Sequence, residues 1–169
     1  MVEIEAVCFD LGDTLIDEET VKRDSKGFAI TANLVDGAME LLRKLKGKGY
    51  KLAIICNGSS RGARALILST GINDFFDVIV ISEEVGSEKP DERIFLAALE
   101  KLKIDPKKAL MIGNRILTDI LGANKLGMLS VLFKWNDRYP ESSNGKLLKP
   151  KFTINKLDQV LNILNEVSG

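Results

Sequence analysis

Ile4-Glu5-Ala6-Val7-Cys8-Phe9-Asp10-Leu11-Gly12-Asp13-Thr14-Leu15 is an apolar run that ends on a carboxylate, then turns at once through a glycine and a small hydroxylated residue. The run reads as a strand of a parallel sheet covered by helices on both faces. An ionised Asp at the end of a buried strand is costly unless hydrogen bonds, a cation or a substrate compensate it. Open parallel sheets bind ligands beyond the carboxyl ends of their strands, which is where this reading puts Asp10.

The same pattern recurs outward from this stretch. Strand-like runs at residues 4–9, 52–56, 78–81, 109–112 and 129–133 alternate with helical patterns. The fold class is therefore α/β, a doubly wound, mostly parallel sheet flanked by helices on both faces. A first helix is expected near 36–48, with Asp36 as its N-cap, Leu41, Leu42 and Leu45 on one face, and Gly49 stopping it. A second follows Ser59 or Ser60 and ends at Gly71. Pro90 suits the first turn of a helix running to about Lys103, and Thr118 can cap another that closes at Gly127. A terminal amphipathic helix capped by Asn155 carries Leu157, Val160, Leu161 and Leu164. Residues 1–169 are expected to form one core domain, with a short flap or minimal cap near 16–33 and an irregular loop insertion at 134–150.

Composition narrows the chemistry. Lys plus Arg equals Asp plus Glu at 24 each, so no global field recruits nucleic acid or an anionic membrane. There is no histidine, which rules out Ser-His-Asp triads, His-paired cysteines and His-bearing zinc sites. Carboxylates, lysines, hydroxyls and backbone amides must carry any catalysis. Cys8 and Cys56 both fall in strand-like runs and read as buried thiols of a reducing compartment. Acidic Glu3 and Glu5 stand where a signal peptide would be basic, and no apolar run is long enough to span a membrane, so a cytoplasmic protein is expected.

Three polar residues each follow a strand: Asp10 the first, Asn57 the second and Asn114 the fourth. In a parallel sheet these ends point the same way, so residues distant in sequence converge on one edge. Four motifs in order then resemble the haloacid dehalogenase superfamily: Asp10-Leu11-Gly12-Asp13-Thr14, Cys56-Asn57-Gly58-Ser59, Lys89-Pro90 and Gly113-Asn114 through Asp119. The resemblance runs from Ile4 to about Phe133. It implies that Asp10 is the nucleophile of a phosphatase acting through an aspartyl-phosphate, and that Lys89 offsets charge on the transferring group. It also implies phosphate binding at Cys56, Asn57 and Gly58, and a Mg²⁺ ion held by Asp10, the Gly12 carbonyl, Asn114 and Asp119.

Three departures bear on that expectation. Gly12 stands where the phosphatases carry a second Asp as general acid and base, and Asp13, one place on, should point elsewhere. Losing a general acid typically costs ~10²–10⁴-fold for a poor leaving group. Asn114 replaces an Asp and brings no charge to a cation, and Cys56 replaces a Ser or Thr hydroxyl. Asp10 and Asp119 against Lys89 leave a formal charge of about −1, which Mg²⁺ would turn to about +1, so phosphoryl chemistry here needs the metal. With only a short flap over the site, the substrate is a phosphorylated small molecule or a larger partner. Within 134–150, Trp135, Arg138 and Tyr139 are candidates for selectivity. The rival readings are a catalytically degenerate binding module and a metal-independent haloacid dehalogenase. The dehalogenases depend on a large helical cap that has no counterpart in these residues.

Overall fold

The computed structural model describes residues 3–169. Its centre is a six-stranded parallel sheet in the order β5-β4-β1-β6-β7-β8, made of β1 (Ala6–Phe9), β4 (Lys51–Cys56), β5 (Val78–Ile81), β6 (Ala109–Gly113), β7 (Leu129–Phe133) and β8 (Phe152–Ile154). The sheet is built outward in both directions from β1, so the chain changes direction of winding at that strand. A crevice opens at such a switch point, just beyond the carboxyl end of β1.

Alternation along each strand separates two cores. Val7 and Phe9 of β1 join Leu52, Ile54, Leu110, Ile112, Val131 and Phe133 on one face. That face is covered by α1 (Ala38–Gly47), α2 (Ser60–Ser69) and α6 (Gln159–Ser168). Ala6 and Cys8 face the other way with Ala53, Ile55 and Met111, under α4 (Glu92–Leu102) and α5 (Leu121–Leu126). Each fully buried Leu, Ile or Phe contributes about 1.5–3 kcal/mol, and the run from Ala6 to Phe9 is wholly buried because both faces are covered.

Residues 16–34 form an antiparallel hairpin of β2 (Ile16–Arg23) and β3 (Ala29–Leu34), a separate two-stranded sheet lying against α2. A short helix, α3 (Ser82–Val85), follows β5.

Several expected boundaries move, each for a local reason. Gly37, at φ 80° in the left-handed region, is the N-cap of α1, so Asp36 does not cap it. Pro90 lies outside α4, whose N-cap is Asp91, accepting from the Arg93 amide. Thr118 caps nothing. It lies within a wide turn, Ile116–Ile120, that opens at Arg115, whose carbonyl accepts from the amides of Asp119 and Ile120. Nor is Asn155 the cap of α6; Gln159 Oε1 reaches back to accept from the amides of Asn155 and Lys156. Strand β8, three residues long, has no periodicity for a sequence reading to detect.

Candidate active site

The main chain sets Asp10 in place. Its amide donates to the Ile112 carbonyl at 3.0 Å, extending the β1–β6 ladder by one residue beyond Phe9. The chain then turns tightly, the amides of Leu15 and Ile16 both returning to the Leu11 carbonyl, with Asp13 at φ 51°. This turn leaves the Asp10 carboxylate at the sheet edge with 13% of its side chain exposed.

Lys89 crosses from the segment after β5 to meet it. Its ammonium donates to Asp10 Oδ1 at 2.8 Å and to Asp119 Oδ1 at 2.7 Å, and both Lys89 and Asp119 are buried. Asn57 fixes the Lys89 backbone from both sides, accepting from its amide at 2.8 Å and donating to its carbonyl at 3.1 Å. Burial works against the Lys89 ammonium, but Asp10 and Asp119 more than offset it and hold its pKa above the ordinary lysine value. Burial and the nearby Asp10 push the Asp119 carboxyl above the usual carboxylate range, against the pull of Lys89. One ammonium is thus shared between an accessible carboxylate and a sealed one.

Asp119 stands apart from the other expected metal ligands. Its Oδ1 accepts from Lys89 and its Oδ2 from the Arg115 amide at 3.1 Å, and it has no exposed surface. Gly113 makes this possible, because a Cβ there would stand 2.2 Å from the Asp119 carboxyl. Asp119 therefore braces Lys89 from behind instead of facing the cavity.

The phosphate-binding expectation also changes. The Gly58 amide donates to Ser82 Oγ at 2.9 Å and the Ser60 amide to Glu83 Oε2 at 2.6 Å, so these two amides are occupied by the protein itself. The Cys56 thiol is buried in the core, which pushes its pKa up to about 12. Of that trio only Asn57 lines the cavity at Asp10.

That cavity has a volume of about 130 Å³ and is lined by Asp10, Gly12, Lys89, Asn114 and Thr118, with Glu18 and Tyr139 among the residues above them. One end of the Asn114 amide stands 2.9 Å from Asp10 Oδ2 and 3.2 Å from the Gly12 carbonyl. With its nitrogen there, the amide donates to both. With its oxygen there, that oxygen lies from each of the other two at a separation close to the roughly 2.9 Å edge of an octahedron whose metal–oxygen bonds are about 2.1 Å.

The loop after β7 closes over this floor. Trp135 Nε1 donates to the Asp13 carbonyl at 2.7 Å. Arg138 pairs with the fully buried Asp13 and, at 3.0 Å each, with Asp17 and Glu19 of β2. The Tyr139 hydroxyl donates to Glu18 Oε2 at 2.7 Å, while its ring lies beneath the Arg115 guanidinium at 4.2 Å. Glu141 completes the strap by pairing with Arg115. Trp135, Arg138 and Tyr139 were expected near the site. Glu18, Arg115 and Glu141 were not, and the signal that could have pointed to Glu18 is the missing carboxylate at Gly12.

A family model described as haloacid dehalogenase-like hydrolase matches residues 26–127. The chain belongs to the haloacid dehalogenase-like hydrolase family. A glyceraldehyde 3-phosphate phosphatase of Pyrococcus furiosus is 35% identical over 80% of this chain and 56% of its own length. A pyrimidine 5'-nucleotidase of Escherichia coli is 36% identical over 76% of this chain and 55% of its own. The chain thus spans about half the length of the curated relatives it matches. Among solved structures, a phosphatase of this family from Thermococcus onnurineus superposes with a TM-score of 0.80 at 22% identity, covering 95% of this chain and 98% of that one, which shows the shared fold. Among the described residues no helix is long and apolar enough to cross a membrane.

Proposed function

We propose that this chain hydrolyses phosphomonoesters with Mg²⁺ through a phosphoryl group carried on Asp10. The observation that carries the reading is the position of the Asp10 carboxylate. One oxygen is held 2.8 Å from the Lys89 ammonium and the other stands 2.9 Å from the Asn114 amide, at the edge of a small polar cavity. Asp10 Oδ attacks phosphorus while Lys89 neutralises charge on the transferring oxygens, and Asp119 keeps Lys89 aimed. Asp10, the Gly12 carbonyl and Asn114 suit a hard cation by donor type and spacing, and when bound it would act as a Lewis acid on the phosphoryl oxygens.

A cavity of about 130 Å³ accommodates a phosphoryl group and little more, so the rest of the substrate lies outside it. Relatives named as sugar-phosphate and nucleotide phosphatases favour a small phosphorylated metabolite over a larger partner. No feature favours nucleic acid or a membrane, and the buried free thiols suit a reducing, cytoplasmic setting. The test is p-nitrophenyl phosphate hydrolysis with and without Mg²⁺, by wild type and Asp10→Asn. Release that needs both the metal and Asp10 is expected, with a loss on the order of 10⁴-fold in the variant. Folded wild-type protein that releases no p-nitrophenol would return the chain to the binding-module reading.

A further inference from the structure

The nearest atoms that a side chain at residue 12 would meet belong to Glu18. The Gly12 backbone lies outside the left-handed region that demands glycine. Yet a Cβ built there would stand 2.1 Å from Glu18 Oε1 and 2.8 Å from Glu18 Cδ. That oxygen lies about as far from the imagined Cβ as a carboxyl oxygen lies from the Cβ of its own aspartate. The Glu18 carboxyl therefore fills the volume an Asp at position 12 would fill, in the same cavity as Asp10 and Lys89.

The strand delivers it there. Along β2, alternation puts Asp17 and Glu19 on one side and Glu18 on the other. The outer two pair with Arg138, and only Glu18 lines the cavity. Its amide is tied at 3.1 Å to the buried Asp13, and Tyr139 holds Oε2, which leaves Oε1 turned toward Gly12.

Resting on the phosphatase reading above, we propose that Glu18 is the general acid and base of this site, supplied by the hairpin in place of residue 12. As Asp10 Oδ bonds to phosphorus and the ester P–O bond breaks, the Glu18 carboxyl gives its proton to the departing oxygen and the alcohol leaves. The Glu18 carboxylate then takes a proton from water as the water oxygen bonds to phosphorus. The bond from phosphorus to Asp10 breaks, phosphate departs, and Glu18 is protonated for the next cycle.

Rapid-quench kinetics with p-nitrophenyl phosphate and Mg²⁺ test this. p-Nitrophenolate leaves without a proton, so Glu18→Gln is expected to give a burst of about one product per enzyme and then turn over ~10²–10⁴-fold more slowly than wild type. Phosphate should accumulate on Asp10 in acid-quenched protein. On an alkyl phosphate, whose leaving oxygen needs the proton, no burst should appear. Gly12→Asp placed in a Glu18→Ala background returns a carboxylate to the same volume and should restore turnover on both substrates. Wild-type turnover of the alkyl phosphate by Glu18→Gln overturns the proposal. So does a slowed variant with no burst that Gly12→Asp/Glu18→Ala fails to rescue. A wild type inactive on both substrates would sink the phosphatase reading, and this inference with it.

Discussion

The floor and the roof of the site are built on different principles. Asp10 extends the hydrogen bonding of β1 by one residue, Asn114 directly follows β6, and Lys89 is clamped by Asn57 and Asp119, so the floor is held by main-chain geometry and buried charge. The roof is held by side chains that meet across more than a hundred residues of sequence: Arg138 with Asp13, Asp17 and Glu19, and Tyr139 with Glu18. Arg138 keeps 23% of its side chain exposed, whereas Lys89 keeps 2%. The floor should therefore be rigid and costly to disturb, and the roof adjustable.

The largest effect is expected at the floor. Lys89→Met leaves Asp119 buried without its cation and should lower stability by about 3–5 kcal/mol in urea melts, besides abolishing turnover. A loss under about 1 kcal/mol would mean that Asp119 is neutral in the native protein and that the brace is weak. Arg138→Ala should cost less in the same melts, because its partners other than Asp13 reach solvent. Hydrogen exchange should then quicken in residues 16–24 and 134–141 while β1, β4 and β6 stay protected. Uniform loss of protection would show that floor and roof unfold as one unit.

Asn114→Asp probes the border between the two. A second carboxylate beside Asp10 should tighten Mg²⁺ by about tenfold or more in calorimetric titration. Unchanged affinity would remove Asn114 from the ligand set. The smallest effect concerns Tyr139, whose hydrogen bond to Glu18, with burial, pushes its pKa up to about 12. Because the folded value lies above the ordinary value of about 10, the bond's stabilisation is full below pH 10 and fades as pH rises through 12. In Glu18→Gln the phenol should ionise earlier, as followed by phenolate absorbance.

The same contrast explains what the sequence reveals. Five of the six sheet strands are legible because burial on both faces leaves apolar runs such as Ala6–Phe9 and Val78–Ile81. Strand ends follow from strands, so Asp10 and Asn114 could be placed together in advance, and Lys89 through the motif resemblance. The hairpin could not be read as strands. Ile16–Arg23 is mostly charged and half of it is exposed, and its structure depends on partners in a distant loop. The surroundings of Asp119, Gly58 and Cys56 are not legible in the sequence for a related reason. Their positions along the chain were visible, but the groups that occupy their polar atoms, or bury them, come from Lys89, Ser82 and the core.

The two cysteines carry a practical consequence. Cys8 on β1 and Cys56 on β4 sit on adjacent strands of the floor, and burial lifts both thiols to about 12. At neutral pH only about one in 10⁵ of such thiols is ionised, and neither is open to a reagent. Alkylation must wait for those strands to part, so the chain carries its own stopwatch for opening of the catalytic floor, one that ticks without regard to movement of the strap above.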